Sequence, residues 1–155
     1  MNTVALLVLF ASVTKTFGLP DGLLSSICYT ESHYDTKAIN TDDGRGNSVG
    51  VCQVKLSTSR TLGFKGSERQ LQDPSVNIYY SGKYLRRQLN RYGGDSNKAI
   101  AAYNSGTLKL NENGDIRNQN YVDKVVTAWK EGQHRRVHDE GTRVGGLSQG
   151  RQHKR

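Results

Sequence analysis

The chain has 155 residues, enough for one domain with its own core and too few for two. Apolar residues make up 34% and the formal charge is +8, which describes a globular core diluted by a polar, basic segment. The charge favours a polyanionic partner (nucleic acid, anionic lipid or an acidic wall polymer), and two cysteines without a Cys-x-x-Cys do not make a zinc site.

The chain opens with an apolar run, Val4–Ala11, with no Lys or Arg before it and Lys15 soon after. It suits a signal peptide or a buried first helix, residues 1–18. The helix is preferred, ended by Gly18, with Pro20 opening the next one. Lys15 comes too early for a membrane span. From Pro20 to about Ser32 the apolar stripe Leu23, Leu24, Ile27 and Cys28 has helical spacing, and it places Glu31 on or beside the buried face. A turn-rich stretch, "NTDDGRGNS", leads to "VGVCQV", which is β-branched and strand-like. "LSTSRTLGF" predicts a short helix ended by Gly63.

The clearest helix follows. Asp73 is its N-cap, Pro74 its first residue and Gly93-Gly94 its end, with Ile78, Leu85, Leu89 and Tyr92 at helical intervals. "SNKAIAAYNSG" predicts another, capped by Ser96 and stopped by Gly106. A last amphipathic helix runs through Val122, Val125, Val126 and Trp129. Beyond it, 133–155 loses its aromatics and reads as a disordered basic tail; residues 130–155 hold 7 Lys/Arg against 3 Asp/Glu, half the net charge. Cys28 and Cys52 suit either a disulfide or small core thiols, and reduced thiols are preferred.

A carboxylate facing an apolar surface holds its proton to higher pH, so Glu31 is placed to protonate a leaving oxygen. In chain order, "TES", "GVCQV", "NIYYSGKYL", "AIAAYNSG" and "NYVDKV" resemble the lytic transglycosylase catalytic domain. That lysozyme-like family has goose-type lysozymes as relatives, and the resemblance runs from about Leu19 to Trp129. It implies a mainly α (α+β) fold, a helical domain over 19–132 with a small β element beside the active-site cleft.

The resemblance also implies a function. This is cleavage of peptidoglycan between N-acetylmuramic acid and N-acetylglucosamine, with a 1,6-anhydro product and no cofactor or metal. Glu31 matches the single catalytic acid/base. Ser32 matches its companion, Gln53 the glutamine of the sugar cleft, Tyr103 and Asn104 the Ala-Tyr-Asn-x-Gly motif, and Tyr121 an aromatic that closes the cleft. Asn40 stands where many members have Ser, and Cys52 where Met is usual. The Gln53 amide can both donate to and accept from an acetamido group.

The loop around Asp42 and Asp43 leans toward the goose-type pattern. If either Asp positioned a water, the outcome would be hydrolysis by a muramidase instead. A non-catalytic wall- or nucleic-acid-binding protein is the alternative of another class, though no aromatic-interleaved basic patch supports nucleic acid. The expected partner is the glycan strand, met by a monomer without a membrane span. The expected setting is the bacterial envelope (periplasm or exterior) or a virion, with recruitment by a larger assembly.

Overall fold

The computed structural model describes residues 1–41 and 45–132. The Asp42 and Asp43 site calls and the expected tail over 133–155 lie outside the described residues. Helix α1 spans Thr3–Phe17, with the Asn2 side chain accepting from the Ala5 N–H at its start. Gly18 ends it in the left-handed region, where the missing Cβ removes the steric cost. Leu6, Phe10 and Val13 are buried against the rest of the chain.

Helix α2, Leu23–Ser32, begins three residues later than expected. Gly22 adopts φ 77°, which a right-handed helix cannot contain, and the Leu23 N–H closes a turn on the Pro20 carbonyl instead. Its stripe is fully buried at Leu23, Leu24, Ile27 and Cys28. Each such leucine or isoleucine contributes about 1.5–3 kcal/mol to folding.

A three-stranded antiparallel sheet follows, β1 (Ile39–Asn40), β2 (Ser48–Val49) and β3 (Val54–Lys55), paired in chain order. Val49 faces Ile39 on one side and Val54 on the other. The strand expected across "VGVCQV" is therefore two short strands joined by a turn at 50–53. Gly50 (φ 78°) and Gln53 (φ 52°) both sit in the left-handed region, which breaks the ladder between them.

Helix α3 is Leu56–Thr61 and α4 is Glu68–Leu71, a single turn closed by a Ser67/Gln70 capping box that the sequence reading missed. The central helix α5, Pro74–Arg91, has the predicted Asp73 cap. It packs on α1 where Gly82 leaves no side chain; a Cβ there would stand 2.3 Å from Val13 Cγ1. Helix α6, Ser96–Ser105, is capped by the Asp95 carboxylate on the Lys98 N–H rather than by Ser96. Leu110 bridges Ile116, and residues 119–132 form α7. Val122 and Val125 are buried, and the Trp129 indole N–H donates to the Asp21 carbonyl at 2.6 Å, fixing α7 against the start of α2. Among the described residues no helix is long and apolar enough to cross a membrane.

Candidate active site

Glu31 lies in the last turn of α2, half-buried, on the wall of a cleft of about 500 Å³ between the sheet and α6. Asn40 from β1, Gln53 from the β2–β3 turn, and Tyr103 and Asn104 from α6 line the same cleft. Five of the predicted residues are thereby brought together from four elements.

Burial pushes the Glu31 carboxyl up from 4.5 to about 7, against the opposing pull of a hydrogen bond from Tyr121. The Tyr121 hydroxyl, on α7, donates to Glu31 Oε1 at 2.6 Å. Burial raises the Tyr121 phenol well above its ordinary value, and the neighbouring Glu31 charge adds to the shift, so it remains a donor. Two opposed effects thus set the proton affinity of Glu31, and burial is the larger.

The cleft is framed by a disulfide. Cys28 and Cys52 are bonded, with Cα atoms 4.2 Å apart, which corrects the expectation of reduced thiols. The thiols meet because α2 and the turn at 50–53 pack directly on each other, a separation that the sequence does not reveal. The bond joins the helix three residues before Glu31 to the residue preceding Gln53.

Side-chain hydrogen bonds reinforce that junction. Ser32 Oγ donates to the Val51 carbonyl at 2.7 Å and the Tyr103 hydroxyl to the Cys52 carbonyl at 2.9 Å. Both groups were expected to face the substrate; their hydroxyls instead hold the turn. Tyr103 still lines the cleft with its ring, and burial raises its phenol strongly, so it too stays protonated.

Asn77, which the sequence reading left without a role, organises the turn from α5. Fully buried, its amide donates to the Val49 and Leu71 carbonyls at 2.8 and 2.9 Å and accepts from the Cys52 N–H at 2.9 Å. A Cβ on Gly50 would stand 2.3 Å from Asn77 Nδ2, so this position requires glycine for space as well as for its φ.

Gln53 differs from expectation in one respect. Its Nε2 donates to the Ala38 and Gly50 carbonyls at 3.1 and 3.0 Å, so the amide presents only its carbonyl oxygen as a free acceptor. The two carbonyl partners fix that orientation. Asn104 is set the opposite way. Its Oδ1 accepts from Asn118 Nδ2 at 3.0 Å, leaving its own Nδ2 to donate. Asn118 also donates to the Ala101 carbonyl, and no local pattern in the sequence signals this orienting pair. The cleft is thereby lined by one fixed acceptor from the 50–53 turn and one fixed donor from α6.

Tyr84, Arg45, Lys55 and Lys109 also line the cleft and were not foreseen. In sequence the three cations look like any solvated surface charge, and only the tertiary fold gathers them. Two other hollows, of about 390 Å³ beside α1 and about 580 Å³ between α2 and α7, do not include Glu31. Among the described residues no cluster of His, Cys, Asp and Glu could hold a metal ion.

A half-buried, proton-holding carboxyl on the wall of a polar groove, in a helical domain with a three-stranded sheet, is an arrangement suited to proton transfer to a bound ligand. The Transglycosylase SLT domain family matches residues 9–126, and this chain belongs to it. The chain is 32% identical over 115 residues to the transglycosylase of Enterobacteria phage PRD1, covering 74% of this chain and 39% of that protein. To protein IpgF of Shigella flexneri it is 28% identical over 95 residues, covering 60% and 62%. It therefore spans less than two thirds of either relative. The fold is similar to the lytic transglycosylase Slt of Pseudomonas aeruginosa, with a TM-score of 0.64 and 24% identity over 79% of this chain and 23% of that one.

Proposed function

We propose that this chain is a peptidoglycan lytic transglycosylase, with Glu31 as its single general acid/base. The observation that carries this is Glu31 itself. It lies in a sugar-sized groove with its carboxyl pushed to about 7, so the proton needed by a leaving group is in place near neutral pH. Among the described residues no other carboxylate lines the groove.

In this reaction Glu31 gives its proton to the bridging oxygen as the bond from that oxygen to C1 of N-acetylmuramic acid breaks. The substrate's own N-acetyl group stabilises the developing cation. Glu31, now ionised, takes the proton of the muramoyl 6-hydroxyl, and that oxygen closes onto C1. No water is consumed and Glu31 ends as it began. In this reading the Gln53 carbonyl and the Asn104 amide hold acetamido groups, and Asn40 adds a further polar contact; their common place on the cleft supports it. Tyr121 tunes Glu31, while Ser32 and Tyr103 keep the turn in place. Such a domain acts in the bacterial envelope, or on it from a virion, on the glycan strand.

Digestion of purified cell wall followed by muropeptide mass analysis tests the reaction. Anhydro ends are the expected result, and products heavier by one water would replace it with hydrolysis. E31Q should produce neither; retained turnover in that variant would remove Glu31 from its role.

A further inference from the structure

Asn118 is the last residue before α7, and its backbone carbonyl opens that helix by accepting from the Tyr121 and Val122 N–H groups at 3.0 and 3.2 Å. An asparagine in this place ordinarily turns its Oδ1 onto an N–H of the first helical turn, which stabilises the helix. Here it does not. Asn118 Oδ1 is buried and accepts from no donor among the described residues. The amide is turned to α6 instead, where Nδ2 donates to the Ala101 carbonyl and to Asn104 Oδ1, each at 3.0 Å. A carbonyl can only accept, so Ala101 fixes which end of the Asn118 amide faces α6. The second N–H then fixes Asn104 in turn, with its oxygen taken and its own Nδ2 left as a donor on the cleft wall. A helix that forgoes its side-chain cap and leaves a buried oxygen unmatched is less stable for it. A local rule broken at such a cost points to a residue that serves the site rather than its own helix.

We propose that Asn118 is a positioning residue of the cleft: it sets the polarity of the Asn104 amide, so that α6 presents a fixed donor to a bound glycan. The proposal rests on the peptidoglycan function above and adds to it a residue that itself touches no substrate. Asn104 is exposed on α6, and without a partner its amide would present the oxygen as readily as the nitrogen. The same contact seats the start of α7 on α6, three residues before Tyr121, whose hydroxyl donates to Glu31. One residue thereby ties the donor on α6 to the helix that carries the tyrosine beside the acid.

Two substitutions provide the test. N118D can make the helix cap that Asn118 forgoes but has no N–H for Ala101 or Asn104. N118A removes the amide without adding charge. Both are checked for folding by their melting curves. In each, side-chain 15N relaxation should show the Asn104 amide passing from ordered to mobile, which a role confined to α7 would not produce. Binding is then read in the E31Q background, which separates recognition from turnover, by calorimetry with a purified tetrasaccharide of the glycan strand. E31Q/N118A and E31Q/N118D should each bind about fivefold more weakly than E31Q, the worth of one neutral hydrogen bond. E31Q/N104A should lose as much, and E31Q/N104A/N118A no more than either change alone. An Asn104 amide as ordered in both variants as in the wild type, or losses that add in full, would overturn the proposal. Unchanged binding in E31Q/N104A would overturn it too, since there would be no donor to position. Failure of the underlying function looks different: wild-type protein would yield no anhydro ends from cell wall, however ordered Asn104 is.

Discussion

Replacing Glu31 by Gln exchanges a carboxyl that keeps its proton to about pH 7 for a neutral amide of the same shape, so the two proteins should differ in stability only where Glu31 ionises. The folded-state value is raised above the ordinary 4.5, so the folded protein binds this proton more tightly than the unfolded chain does. The wild type therefore keeps its full stability below the unfolded value and loses some as pH rises through the folded one. The interval from 4.5 to about 7 corresponds to about 3 kcal/mol at 1.36 kcal/mol per unit, and solvent at the half-exposed edge of the side chain reduces this to about 2. E31Q keeps an acceptor for the Tyr121 hydroxyl, so little else should change. Urea unfolding of both proteins at about pH 4 should give similar free energies, and at about pH 8.5 E31Q should be the more stable by about 2 kcal/mol. A gap independent of pH would refute the reasoning, since it would mean that burial leaves the carboxyl unshifted.

Three further outcomes follow from the same geometry. Y121F removes the hydrogen bond that lowers Glu31, so the alkaline limb of the pH–rate profile, near pH 7 in the wild type, should move upward; a downward shift would contradict the assignment. The C28S/C52S double variant should lose about 3 kcal/mol, from the loop of 24 residues left unclosed, and with it much of the turnover on cell wall; unaltered melting would show the bond to be dispensable. G50A should be destabilised by more than about 2 kcal/mol in thermal melts, because the added methyl strikes the Asn77 amide at a backbone angle that also disfavours alanine.

Helices with both a regular apolar stripe and a local stop were legible in the sequence. In α5 the Asp73-Pro74 start and the spacing of Ile78, Leu85 and Leu89 agree with what forms, and in α1 the left-handed Gly18 ends the run as read. Failures came where a distant residue decides. "VGVCQV" is β-branched like a strand, yet the Asn77 amide from α5 captures its backbone groups and folds the middle into a turn. The thiols looked equally fit for the core because their separation depends on how two segments pack, which no local pattern encodes. In the site, residue types were legible but not what their polar atoms do. Ser32 and Tyr103 present hydroxyls that could serve a substrate, and only the fold shows both directed at carbonyls of the 50–53 turn.

That redirection bears on how the proposed site is held in place. Glu31 ends a helix and Gln53 sits in a left-handed turn, two positions that would drift if left alone. Here the turn is bonded to α2 by the disulfide and Ser32, to α5 by Asn77, and to α6 by Tyr103. A shift of the turn relative to α2 would break several of these at once, so the Glu31 carboxyl and the Gln53 carbonyl keep one separation without help from a ligand. In the proposed reaction, where Glu31 gives and takes a proton at two different oxygens, such fixed geometry removes the need to reorganise between the steps. The hydroxyl protons that Ser32 and Tyr103 give to the turn are what hold Gln53 and Glu31 in one register.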